Sequence, residues 1–159
     1  MKMLAAVYRG RQDVRLEEVE IPRAGDGEVV VKVEAALTCG TDRKMYLRDH
    51  PLFAPPFIFG HEFAGTVHEV GRGVSGVREG ARVAAANSAP CNRCYFCKVG
   101  RQSLCENLFL RLSGAFAQYV AVPAPIVEQN LLAIPEGVSF PLAAMVEPLA
   151  CVAHGMEVT

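Results

Sequence analysis

The chain has 159 residues, 51% of them hydrophobic, and its 16 basic and 17 acidic side chains leave a net charge of −1. That length fits one domain with a substantial core, and the interspersed charges give neither the basic stripe of a nucleic-acid binder nor a like-charge tail. No stretch approaches the roughly 20 apolar residues of a membrane span.

At the N-terminus, Lys2 precedes an apolar run over residues 3–8 that is too short for the core of a signal peptide. The protein is therefore expected to be cytoplasmic, with no membrane partner. In that compartment its six cysteines are metal ligands or free thiols in preference to disulfides. Next comes Val29-Val30-Val31-Lys32-Val33-Glu34-Ala35, β-branched and nearly alternating, which predicts a strand. Residues 41–48 predict a short helix with Thr41 or Asp42 as its cap. Further short strands are expected over 63–70, 81–86 and 116–120. His50 and His68 read as surface or structural residues. Glycines punctuate the pattern at Gly25, Gly27, Gly71, Gly73, Gly76 and Gly80.

Gly71-x-Gly73-x-x-Gly76 has the form of a dinucleotide fingerprint, which requires a strand before it and a helix after it. The next residues, Val77-Arg78-Glu79-Gly80-Ala81-Arg82-Val83, read as a turn into another strand, so these glycines are assigned to turns. From about Pro141 the chain becomes Ala- and Leu-rich. Ser139 is the candidate cap, Pro141 sits in the first turn, and Pro148 is expected to kink or interrupt the helix. Many short strands with Gly/Pro turns suggest a sandwich or barrel.

Two sets of residues carry chemistry. Cys91-x-x-Cys94-x-x-Cys97-x7-Cys105 places four thiols within fifteen residues. Zinc takes four such soft ligands in a tetrahedron, and close spacing lets one loop close the shell. Pro90, Asn92 and Gly100 supply turns. Arg93, Lys98 and Arg101 soften the −2 charge of four thiolates around Zn²⁺. A closed shell staples a lobe and performs no reaction. Free thiols or two disulfides are the bland alternative, and an iron–sulfur cluster is disfavoured because the order of the spacings differs from ferredoxin patterns.

The second set is dispersed: Cys39 in Thr38-Cys39-Gly40-Thr41-Asp42, and His61 and Glu62 in Gly60-His61-Glu62. Neither motif is specific alone. Together they offer thiolate, imidazole and carboxylate from separate elements, as a zinc with an open position requires. Glu147, Cys151 and His154, at i, i+4 and i+7, would share a face of an uninterrupted helix and are candidates for a further ligand. On its own, Cys151 reads as a small buried apolar residue.

These residues resemble the zinc-dependent medium-chain alcohol and polyol dehydrogenases. The matching motifs are Cys39-Gly40-Thr41-Asp42, Gly60-His61-Glu62-Phe63-Ala64-Gly65, the four-cysteine lobe, Gly114-Ala115-Phe116-Ala117-Gln118-Tyr119 and Glu147-Pro148-Leu149-Ala150. They run in family order over nearly the whole chain, and Glu-Pro-Leu leans toward the sorbitol and threonine dehydrogenase branch. The resemblance implies a mainly β fold over 1–159. This is a GroES-like, partly open β-barrel with short helices, a zinc-stapled lobe at about 88–110 and a C-terminal helical segment. It implies two Zn²⁺, one catalytic on Cys39 and His61, with Glu62 an exchangeable ligand or near neighbour and Glu147 binding directly or through water, and one structural on the four-cysteine lobe. Asp42 would orient His61, and Thr41 would hydrogen-bond the substrate hydroxyl and begin proton release. The implied reaction is oxidation of a small alcohol, polyol or hydroxy-amino acid by hydride transfer to NAD or NADP, in a full-length homodimer or homotetramer.

Two departures stand out. Family members continue into a Rossmann domain carrying the nicotinamide site, whereas this chain stops at Thr159 before any such fingerprint; a fragment of a dehydrogenase is the expectation. Lys44 stands where many relatives place a proton-relaying histidine, and lysine does not relay in the same way unless its pKa is strongly lowered. The competing expectation is a zinc-stabilised structural or binding barrel without turnover. Phe53, Phe57 and Phe59 are assigned to the barrel core in preference to a substrate pocket.

Overall fold

In a computed structural model, residues 1–48, 53–109 and 112–159 are described; His50 lies outside them. Strand β1, Lys2–Gly10, turns back as β2, Asp13–Glu20, and β4, Phe57–Ile58, joins the other side of β1 to give a three-stranded sheet. The larger sheet runs in the order β7 (Tyr119–Val122), β3 (Val29–Leu37), β5 (Glu62–Val70), β6 (Arg82–Ala85) and β8 (Leu131–Ala133), each neighbouring pair antiparallel. The two sheets do not close into one ladder; the result is the expected partly open, mainly β fold.

The Val-rich run forms its strand because β-branched residues suit the pleated, half-buried surface. Val29 and Val31 are fully buried in a core shared with Phe63, Val67, Val83, Val120, Val122 and Ile126. Each such side chain contributes about 1.5–3 kcal/mol of burial free energy. The β3–β5 ladder needs a glycine at Gly65. A side chain there would collide with the Lys32 carbonyl and the Val31 side chain.

The strand expected over 116–120 is displaced to Tyr119–Val122. Its first half crosses between the sheets: the Ala6 N–H donates to the Phe116 carbonyl, Ala117 bridges Ala5, and the Val33 N–H donates to the Gln118 carbonyl. Backbone partners on two different sheets explain why the apolar run does not extend as one strand. Gly71 ends β5, Gly73, Gly76 and Gly80 have positive φ, and β6 comes next. The turn reading of the Gly-x-Gly-x-x-Gly segment therefore holds.

Helix α3, Ala124–Asn130, leads into β8, and the C-terminal segment beyond it splits. Helix α4, here taken as Phe140–Ala143, is capped by Ser139, whose hydroxyl accepts from the Leu142 N–H. The longer α5, Val146–Glu157, starts two residues before Pro148, which thus sits in a first turn. Proline has no N–H to donate to residue 144 and would press on that carbonyl, so the break falls at Ala144–Met145 and not at the proline. Among the described residues no helix is long and apolar enough to cross a membrane.

Candidate metal centres

Leu37 pairs with Glu62 at the last rung of the β3–β5 ladder. Cys39 lies two residues beyond one strand and His61 one residue before the other, so antiparallel pairing brings together side chains 22 positions apart. Cys39 Sγ stands 3.2 Å from His61 Nε2. Two ligands of one tetrahedral zinc, one sulfur and one nitrogen, are about 3.5 Å apart from the usual bond lengths. The donor set therefore fits such an ion.

The next helix, here α1, Gly40–Arg48, is opened by Cys39 and not by the expected Thr41 or Asp42. The Cys39 Sγ accepts from the Thr41 N–H at 3.2 Å, and the Asp42 carboxylate reaches back to the Cys39 N–H at 3.0 Å. This is a capping box with sulfur in place of the usual hydroxyl. Thr41 is exposed, and Asp42 is buried at 1%.

Asp42 Oδ1 has no aligned hydrogen bond; it lies 3.2 Å from His61 Nδ1. A proton on Nδ1 would satisfy that carboxylate and leave the Nε2 lone pair facing Cys39, the tautomer a metal needs. Burial opposes charging His61, but the hydrogen bond and charge of Asp42, with Cys39 adding to them, outweigh it and push the imidazole up to about 9.

Glu62 is buried, and burial raises its carboxyl; the His61 charge counters this, while Glu147 raises it further by charge and hydrogen bonding. Glu147 therefore faces Glu62 from α5. Cys151 belongs to the same side: its Sγ is 3.8 Å from Glu147 Oε1. It is exposed, however, which corrects its reading as a small buried apolar residue. Slight desolvation where it meets Glu147 raises its thiol, and the Glu147 charge adds to that. His154 turns elsewhere. It contacts Glu157 and lines a cleft against Gly100 to Leu104, so the i, i+4, i+7 face is shared only by its first two members.

The four cysteines of the lobe present their sulfurs within 4.8 Å of one another. A short helix, α2, Tyr95–Lys98, comes directly after Cys94, and a 3-10 turn, Gln102–Leu104, precedes Cys105. Asn92 and Gly100 take the positive φ values of the expected turns. Ala89 and Phe109 exchange backbone hydrogen bonds and close the loop at its base. Backbone N–H groups of Arg93 and Cys94 hold the Cys91 thiol down at about 6, whereas burial and the neighbouring thiols push Cys97 up to about 12. Four thiols cannot all ionise together unaided, and a dication resolves the conflict.

Met45, Tyr8 and Phe59 form a separate small core, joined by Phe53, Phe57 and Phe116. The phenylalanines thus fill a core, as expected, but not the main one. Sequence reasoning missed Tyr8 and Met45, which seat α1: the buried Tyr8 hydroxyl donates to the Met45 carbonyl at 2.9 Å. No spacing rule marks such a bond; the N-terminal apolar run was its only trace.

Residues 25–136 match the model of the alcohol dehydrogenase GroES-like domain. The chain is 44% identical over 146 residues to L-threonine 3-dehydrogenase of Symbiobacterium thermophilum, covering 87% of this chain and 40% of that one. A structure described as a zinc-binding dehydrogenase from Sinorhizobium meliloti 1021 bound to NADP superposes over the whole chain and 46% of its own, with TM-score 0.88 and 36% identity. The 2R,3R-butanediol dehydrogenase of Bacillus subtilis matches with TM-score 0.82 and 30% identity, over 98% of this chain and 47% of its own. The chain spans less than half the length of each of these proteins.

Proposed function

The chain belongs to the alcohol dehydrogenase GroES-like domain family, and we propose that it forms the zinc-bearing half of an NAD(P)-dependent dehydrogenase acting on a small alcohol, polyol or hydroxy-amino acid. The observation that carries this reading is the Cys39 Sγ to His61 Nε2 approach with Asp42 behind the ring.

In this reading Cys39 and His61 hold the catalytic zinc, and Glu62, with Glu147 beyond it, supplies an exchangeable carboxylate. Cys91, Cys94, Cys97 and Cys105 hold the second, structural zinc. Zinc at the first site supplies Lewis acidity that brings an alcohol proton within reach of neutral pH. Thiolate, neutral imidazole and one carboxylate sum to zero with a dication; ionised Glu147 would make the sum −1 and weaken that acidity. Burial and the Glu147 charge raise the Glu62 carboxyl, and this crowding favours holding Glu147 away from the ion. Asp42 fixes the ring and its tautomer. Thr41, in the exposed first turn of α1, is assigned to the substrate hydroxyl and the start of proton release. With Lys44 beyond it, solvent takes the proton.

The hydride acceptor binds outside this chain, on a cofactor domain. Support for such a neighbour comes from an apolar groove of about 490 Å³ lined by Ile134, Val138, Leu142, Met145 and Leu149, and from relatives and structural neighbours of more than twice the length. The test is oxidation of small alcohols, polyols and 3-hydroxy amino acids with NAD or NADP by the gene product that carries this chain. Turnover that disappears in Cys39→Ser while the structural zinc stays bound is expected. Turnover unchanged by that substitution would contradict the assignment.

A further inference from the structure

The residue just before His61 is held from one side by a single loop. Gly60 has φ +84°, and its carbonyl accepts from the Gly114 and Ala115 N–H groups at 2.9 and 3.1 Å. The Phe116 ring lies against its α-carbon so closely that a methyl group there would overlap the ring. The Phe116 N–H donates to the Phe59 carbonyl at 2.9 Å, and the two rings meet edge to face at 5.9 Å. The Phe59 and Gly60 carbonyls and the open face of Gly60 are thus pinned by residues 114–116.

Cys39 is carried by α1, whose buried Met45 packs into the same cluster as Phe59 and Phe116. One aromatic unit therefore fixes both halves of the Cys39–His61 pair. Phe116 also contacts the main core, so it ties that pair to the rigid sheet. Such support is what keeps ligand geometry within a fraction of an ångström.

We propose that Phe116 is a positioning residue for the Cys39–His61 metal site: its ring, seated on Gly60, sets the distance and angle at which His61 meets Cys39. This rests on the reading of that pair as a metal site. Phe116 acts through the backbone of residue 60.

The experiment uses cobalt(II) as the probe, bound to the full chain and followed by its visible absorption. Phe116→Leu is compared with the wild type, and Phe116→Met, closer in volume, is measured alongside in case leucine impairs folding. The expected result is a weakening of the Cys39–His61 site by about tenfold or more, with a changed d–d spectrum. The four-cysteine site should keep its spectrum and affinity, and the methionine variant should recover part of the loss. Variants with unchanged affinity and spectrum at the Cys39–His61 site overturn the proposal. So does equal weakening of both sites, which marks a general loss of packing. A wild type that takes up cobalt only at the four cysteines removes the underlying metal reading, and this inference with it.

Discussion

At the scale of single residues, His61 is the most informative group. In the metal-free protein its imidazole is held up at about 9, against about 6.5 in an unfolded chain. A raised folded value means that the stabilisation it brings is complete below about pH 6.5 and fades as the pH climbs through about 9. A metal must displace that same proton, so uptake at the Cys39–His61 site should strengthen across this interval. Titrating cobalt affinity from pH 6 to 9 measures it, and a flat profile would argue against Nε2 as a ligand. Asp42→Asn removes the charge that holds the proton on Nδ1. It should weaken the site roughly 10- to 100-fold, the usual cost of losing a carboxylate behind a ligating histidine, and bring the His61 titration down toward its ordinary range, as NMR of the ring protons would show.

Elements show where the sequence was readable and where it was not. The Val29–Leu37 strand and the four-cysteine spacing were visible because each signal is local: β-branched alternation in one, ligands inside one loop in the other. The Cys39–His61 pair was visible only through the resemblance of its motifs, since nothing in spacing announces that Leu37 pairs with Glu62. The displaced start of β7 and the exposed Cys151 were missed for the same reason; both depend on what lies across space. The break before Pro148 comes from its missing N–H acting four residues upstream, a rule whose direction places the interruption ahead of the proline. The β3–β5 ladder makes a sharp demand at Gly65, where a β-carbon meets backbone that cannot move aside. Gly65→Ala is expected to cost about 1–3 kcal/mol, as overpacking does. Thermal unfolding should fall by several degrees, roughly 2–4 °C per kcal/mol for a chain of this size. An unchanged midpoint would mean that the two strands are not packed as described.

For the molecule as a whole, the two candidate metal sites differ in kind. The four sulfurs lie together within one loop, while Cys39 and His61 come from two elements, with Asp42 behind the ring. The C-terminal segment carries an apolar surface: Leu142 is 60%, Met145 50% and Leu149 64% exposed. Such exposure is what a docking face for the proposed cofactor domain requires. In the isolated 159-residue chain it should bind a hydrophobic fluorescent dye, and Leu149→Lys should reduce that signal without altering zinc content. Dye binding that Leu149→Lys leaves intact would place the exposed surface elsewhere.

We propose that one chain holds two zinc ions in unequal environments, one structural and one open to chemistry. Zinc content before and after mild chelation, in the wild type and in Cys39→Ser, tests it most directly. Two zinc ions per wild-type chain are predicted, one lost readily and one retained, with the variant keeping only the retained ion. A single, tightly held zinc in the wild type, or a Cys39→Ser variant that loses both, would contradict it.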